Sequence, residues 1–278
     1  MKHYLKRTQT LKIASMLLVL IFCFAILSGC AGNLFGGNFS SLLPPMQKSA
    51  IRLTYEMDSS AELPIGASKI GGNPDLPPEF EWFCYEGESY EGITENRPLS
   101  FLAQINCAEV REYDTDSLLP ESGMLYFFYE LATMTWGFDP MDKGSARVYY
   151  YPGEVSALSR TECPSDLLDE YKIPEMAIAF STEDDLPDFE EFIEWHDGFN
   201  YDQWDAYDRA KYRLLSNPVE SYGSHLLGYA DLIQGGMLLE CERPPMAFTP
   251  EPRRAMPMLQ ISNERMQKMA ASVAAGLH

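Results

Sequence analysis

The nine residues Ser68-Lys-Ile-Gly-Gly-Asn-Pro-Asp-Leu76 recur without gaps as Ser224-His-Leu-Leu-Gly-Tyr-Ala-Asp-Leu232. Ser, Gly, Asp and Leu are identical, and Ile/Leu and Pro/Ala are conservative exchanges. The same offset of 156 residues lays Gln104-Ile105 on Gln260-Ile261. Self-similarity at one fixed offset is the mark of a repeated structural unit. It predicts an internal duplication, with repeats near residues 66–130 and 222–262. Gly123-Met-Leu-Tyr-Phe-Phe128 reads as a strand opened by glycine. Its copy would begin one residue past His278. The second repeat is therefore expected without its last strand, and residues 263–278 are expected as a divergent tail. Residues 243–278 carry five basic and two acidic residues, unlike the acidic body.

Pattern places the elements. Leu99–Ile105, Met124–Tyr129, Arg147–Tyr151 and Met176–Phe180 are rich in β-branched or aromatic residues and read as strands. Ile51–Met57 reads as a short helix or strand. Leu186–Asp197 reads as a helix, with Pro187 near its start and Phe189, Phe192, Ile193 and His196 on one face. Tyr201–Leu215 reads as a second helix, with Trp204, Tyr207, Ala210 and Leu214 inward. Strands, then a helical insert, then the second repeat argue for an α+β fold of largely antiparallel sheet. The domain is expected to span residues 51–262.

The N-terminus carries an address. Residues 1–29 hold Lys2, Lys6, Arg7 and Lys12, no acid, and an apolar run from Ile13 to Leu27. That is the layout of an export signal. Leu27-Ser28-Gly29-Cys30 resembles a bacterial lipobox, which implies diacylglyceryl transfer to Cys30 and cleavage before it. An uncleaved anchor helix is the alternative, although the run is short for a bilayer span. Residues 30–50, rich in Gly, Ser, Asn and Pro, read as a flexible stalk. The protein is thus expected on the outer face of a cell membrane, held by lipid on Cys30. Cleavage would leave 17 basic against 41 acidic residues. Such a charge excludes nucleic acid as a partner, because phosphates must be met by Lys and Arg.

Several segments together resemble the YwqG-like family, a bacterial domain family without an assigned activity. They are Ser68-Lys-Ile-Gly-Gly-Asn-Pro-Asp-Leu-Pro77, Pro98-Leu-Ser-Phe-Leu-Ala-Gln-Ile-Asn106, Gly123-Met-Leu-Tyr-Phe-Phe128, and His225-Leu-Leu-Gly-Tyr-Ala-Asp-Leu-Ile-Gln234 with Leu238-Leu-Glu-Cys241. The resemblance runs from about Ile51 to Ile261. It implies a compact α+β domain with much antiparallel sheet, and it supplies no catalytic residues. Two departures stand out. Ser262-Asn-Glu-Arg265 is not followed by the family's acidic turn and closing aromatic strand. The lipobox is unusual in a family more often read as intracellular.

The residues that carry chemistry are few. Gly71-Gly72 beside Ser68 and Lys69 lacks the spacing of a phosphate loop and reads as a turn. Asp75 and Asp231 share a repeat position. They would either cap turns through their side chains or pair as general acid and base, the enzymatic alternative for this chain. Ser68 and Ser224, beside Lys69 and His225, do not make a nucleophilic triad by adjacency alone. Gln104 and Gln260 sit among apolar neighbours and need buried partners, first of all across the pseudo-twofold. Cys84, Cys107, Cys163 and Cys241 lack paired metal-ligand spacing. Outside the membrane they would be free thiols or a disulfide. Asp139 to Gly144 faintly resembles a calcium loop without its spacing. No cofactor or metal is expected. Acids from Glu183 to Asp208 are interleaved with Trp195, Tyr201, Trp204 and Tyr207. They form either a solvated helix face or a docking surface for a basic protein. The function expected is a membrane-tethered binding module without catalysis.

Overall fold

The computed structural model describes residues 39–55, 63–135, 140–216, 218, 223–230 and 259–260. The signal segment with Cys30, the acids Asp139 and Asp231, Cys241 and the tail 263–278 lie outside the described residues. The described residues form two compact units, one built from 48–186 and the described segments after 216, the other from 39–47 and 187–216.

The first unit is an antiparallel sheet curled into a half-barrel. Its strands are β1 (Lys48–Tyr55), β2 (Lys69–Ile70), β6 (Ser100–Asn106), β7 (Met124–Tyr129), β8 (Ala146–Tyr151), β10 (Met176–Asp185), β11 (Ser224–Leu227) and β12 (Leu259–Gln260). The spatial order is β12-β11-β1-β10-β2-β6-β7-β8. Two small antiparallel pairs accompany it, β3 (Asp75–Leu76) with β9 (Ser159–Arg160) and β4 (Cys84–Glu88) with β5 (Thr94–Pro98).

Burial explains the central strands. Side chains alternate across a strand, so β7 sends Leu125 and Phe127 into one core and Met124, Tyr126 and Phe128 into another. A strand covered on both faces is apolar throughout, which is why Met-Leu-Tyr-Phe-Phe-Tyr has no polar gap. The first core collects Ile51, Leu53, Ile70, Ile105, Met176 and Leu226 from the middle strands. The second collects Tyr85, Leu99, Phe101 and Leu158. A bulge between Phe101 and Ala103 lets β6 serve both.

On either side of the β1–β10 contact, the strands follow in matching order. Beyond β1 lie β11 and β12, and beyond β10 lie β2 and β6. The registers match as well. Lys69 faces Gln104 and Ile70 faces Ala103. His225 faces Gln260 and Leu226 faces Leu259. Each of these pairs is the other displaced by the sequence offset.

The second unit is helical. Its short α1 (Phe39–Leu42) lies near α3 (Phe189–Trp195) and α4 (Trp204–Leu214) in the same unit, while α2 (Cys107–Val110) belongs to the sheet unit. Phe39 is buried, its ring centroid 5.1–5.5 Å from those of Phe192, Phe199 and Tyr207. The Tyr207 hydroxyl donates to the Pro187 carbonyl at 2.5 Å. Asn200 caps the turn Tyr201–Gln203 reciprocally with Gln203 and so sets the start of α4.

Three expectations are corrected here. Residues 39–50 are not stalk: Phe39 and Leu43 are buried and Lys48 opens β1. Small and polar neighbours hid those two anchors. The strand expected to end at Phe180 continues to Asp185. Its acids do not form a helix face, because Glu183 pairs with Arg52 across the sheet at 2.7 Å. Trp204 is not inward. It is 38% exposed, while Tyr207, three residues on, is fully buried.

Candidate functional site

Three polar side chains singled out in the sequence, Lys69, Asp75 and Gln104, converge on one buried centre. Asp75 faces Arg160 across the β3–β9 pair, and its Oδ1 accepts from Arg160 Nε at 2.6 Å. Oδ2 accepts from the Gly66 N–H at 2.9 Å and from Gln104 Nε2 at 2.7 Å. Gln104 completes a fork, since its Oε1 accepts from the Asp75 N–H at 2.8 Å and its Nε2 also donates to Ala67 O at 2.8 Å. The Tyr126 hydroxyl, directly across from Gln104, donates to Asp75 O at 2.5 Å. Beside them Lys69, wholly buried, donates to Glu175 Oε2 at 2.6 Å and to Asn73 O at 2.5 Å. Arg160 also reaches Glu175 at 3.5 Å and Leu63 O at 2.9 Å.

This centre balances two cations against two carboxylates. Burial alone would raise the pKa of Asp75. The Arg160 bond, the Gly66 N–H, the Gln104 amide and the Lys69 charge outweigh it and hold the carboxyl below its ordinary value. Burial, with Asp75 second, pushes the Tyr126 phenol up, so it stays a donor. Both Asp75 oxygens are occupied by the chain's own donors, so Asp75 serves as a tie between loops. A general acid or base needs an oxygen within reach of substrate. The Gln104 amide makes its bonds with Ala67 and Asp75, where the sequence predicts a partner in the second copy of the motif. Arg160 and Glu175 were not anticipated. Arg160 lies 85 residues from Asp75 in a two-residue strand, with no local pattern to announce it.

Residues 224–230 form a second centre. His225 is 2% exposed, and its Nε2 meets Tyr229 O at 2.9 Å. Lys69 reaches the carbonyl four residues on in the same way. Leu227 and Gly228 both adopt positive φ (64° and 72°), as do Gly71 and Gly72 (59° and 67°). A Cβ on Gly228 would lie 2.4 Å from Asp185 Oδ2, and one on Gly72 would lie 2.7 Å from Glu175 Oε2. Each left-handed turn thus rests against a carboxylate, one from each end of β10. Asp185 Oδ2 also accepts from the Tyr229 N–H, and the Lys48 ammonium sits 3.8 Å above the Tyr229 ring. Ser224 shares a 3.0 Å bond with the Tyr55 hydroxyl.

The aromatic residues of the helical unit are divided between core and surface. Phe189, Phe192 and Tyr207 are buried. Trp195, Tyr201, Trp204 and Tyr212 are exposed by 38%, 61%, 38% and 55%. Trp204 packs one edge on Phe189 at 5.5 Å and stacks with Tyr201 at 6.3 Å, and its Nε1 donates to Asp208 at 2.9 Å. Asp202 and Asp205 lie beside these rings in sequence and are exposed. His196 stacks on Phe192 at 4.3 Å, as a packed histidine would.

Cys84, Cys107 and Cys163 are free thiols. Burial pushes the Cys107 thiol up to about 11. Among the described residues, no three His, Cys, Asp or Glu side chains are placed to hold a metal ion. No described helix is long and apolar enough to cross a membrane. No curated protein matches the sequence. The family described as a domain of unknown function, DUF1963, matches residues 68–272, about three quarters of the chain, and the chain belongs to that family.

Proposed function

We propose that this chain is a lipid-tethered binding module on the outer face of a bacterial membrane, built on an internally duplicated, YwqG-like sheet. Three features support the parts of this reading. The lipobox at Leu27–Cys30 supports the tether. The matched registers, the paired left-handed turns and the crossed strand order support duplication. In that order β1, which precedes the first repeat, pairs with β11 of the second, and β10, which precedes the second, pairs with β2 of the first. The exposed rings of Tyr201 and Trp204 beside Asp202, Asp205 and Asp208 support binding, and this face carries the reading.

The helical segment 187–216 holds eight acidic against three basic residues. Aromatic rings give contact area at low entropy cost, and a carboxylate ring favours a cationic partner. Asp75 supports the absence of catalysis, since its oxygens are committed to the fold. Mass spectrometry of membrane-extracted protein tests the tether: a chain beginning at diacylglyceryl-Cys30 is expected. An unmodified Cys30, or a chain still beginning at Met1, overturns it. Crosslinked pull-down at low salt tests the module, with a recurrent basic partner expected and none recovered as the contrary result.

A further inference from the structure

The folded body begins much closer to Cys30 than composition suggests. Phe39 is buried in the helical unit, and only eight residues separate it from Cys30. Nine peptide steps span at most about 30 Å even when fully extended. Resting on the lipid-anchor reading, the geometry points to a helical unit whose Phe39 is held within about 30 Å of the membrane surface. Its Tyr201–Trp204 face is then a docking surface for the arginine- or lysine-bearing outer segment of a protein in the same membrane.

The chemistry fits one occupant. On α4 Asp205 stands in the first turn, Asp208 and the exposed Arg209 in the middle, and Lys211 and Arg213 in the last turn. The rings stand at the first-turn end, beside Asp202 in sequence and bonded to Asp208 through Trp204 Nε1. A guanidinium or ammonium over an exposed indole or phenol gains a cation–π contact, and the flanking carboxylates add charge complementarity. An anionic bilayer surface would repel the same face. Lys211 is held at the opposite end by Pro187 O and Asp188, so it does not compete for the acids near the rings. Holding both partners within about 30 Å of one surface raises their effective concentration.

The mature chain beginning at residue 30 and carrying Cys30→Ser isolates docking from lipidation, because the apolar run Ile13–Leu27 is then absent as well. Octaarginine should bind it at low salt and octaglutamate should not. D202N/D205N should weaken octaarginine about tenfold, and Trp204→Leu, which keeps the packing on Phe189, should weaken it several-fold, with thermal unfolding unchanged. E86Q/E88Q on the β4–β5 hairpin of the sheet unit should have no effect. Equal losses from all three variants would reduce the binding to net charge and overturn the docking face. Binding of the Cys30→Ser chain to peptide-free phosphatidylethanolamine vesicles, lost in Trp204→Leu, would assign the face to lipid instead and also overturn it. For the leash, lipidated chain should bind vesicle-anchored octaarginine at least tenfold more tightly than Cys30→Ser. A long, flexible Gly/Ser insertion after Gly32 should remove most of that gain. No gain with lipidated chain would overturn the short leash while leaving the peptide result standing.

Discussion

The two left-handed turns of the sheet unit share a backbone and differ in chemistry. The Lys69 turn is an ionic knot, in which Lys69, Arg160, Asp75 and Glu175 neutralise one another among the loops at residues 63–67, 71–75, 159–161 and 173–175. The His225 turn keeps the i+4 carbonyl contact and a carboxylate beside its glycine, but it places an imidazole where the ammonium was. Backbone conformation is therefore the shared constraint, and the side chains meet it by different means. Both carboxylates belong to one strand: Glu175 immediately precedes β10 and Asp185 ends it. A single strand pins both turns.

The sharpest way to break this comparison is to remove one charge from the ionic knot. Asp75→Asn leaves Arg160 facing an uncharged side chain in a largely buried site. Breaking one partner of a buried pair costs about 3–5 kcal/mol, and urea unfolding should show that loss. Asp185→Asn should cost less, because its amide oxygen can still accept from the Tyr229 N–H. Equal losses would mean that the second turn is as ionic as the first.

Glycine substitution separates the turns next. A Cβ on Gly71 would lie 2.4 Å from two backbone oxygens, those of Ile173 and Pro174. A Cβ on Gly228 would meet the end of the Asp185 side chain and Ala50 Cβ at 2.9 Å. Backbone cannot swing aside as a carboxylate can. Gly71→Ala should therefore cost roughly 1–3 kcal/mol for the left-handed backbone and more for the collision, exceeding Gly228→Ala. Unfolding midpoints of the two variants in the reverse order would contradict this account.

Parts of this arrangement were legible in the sequence. The strand Met124–Tyr129 shows its bounds in the sequence because a doubly covered strand is unbroken apolar chain. The paired motifs announced the turns, since glycine at 72 and 228 is what a positive φ requires. The ionic knot was half visible. Asp75 and Gln104 stand in repeated positions, but Arg160 answers Asp75 through tertiary pairing that no local period encodes. Composition misled at both edges of the helical unit. The Gly-, Ser-, Asn- and Pro-rich stretch before Lys48 conceals Phe39, and Ser-Thr-Glu-Asp-Asp185 looks like the approach to a helix because its partners, the Arg52 guanidinium of β1 and the Tyr229 N–H, lie far off in sequence.

Acid offers a third, smaller test. The folded state holds the Asp75 carboxyl below its ordinary value. Between the folded and unfolded pKa values, the unfolded chain binds more protons, so stability rises with pH there. The contribution is complete above the unfolded value of about 3.9 and is lost as pH falls through the folded one. The Lys69 turn should loosen below about pH 4. Cys107, directly after β6 and unreactive while buried, should then become accessible to a thiol reagent active in acid. In Asp75→Asn that dependence should flatten, because no proton is taken up at this position.

The smallest expected effect is the most discriminating. His225→Lys gives the second turn the first turn's residue. A lysine introduced at a random buried site costs several kcal/mol, because its charge is stranded away from water. Here the ammonium has the Tyr229 carbonyl where Lys69 has that of Asn73, and a carboxylate already stands against the following glycine. The variant should therefore stay within about 1 kcal/mol of the parent, as a substitution does when its partners are in place. Removing the carboxylate should expose the dependence: Asp185→Asn should cost more in the His225→Lys background than in the parent, by roughly 1 kcal/mol or more of coupling. A large loss from His225→Lys alone, or no coupling to Asp185, would show that the likeness of the two turns ends at the backbone.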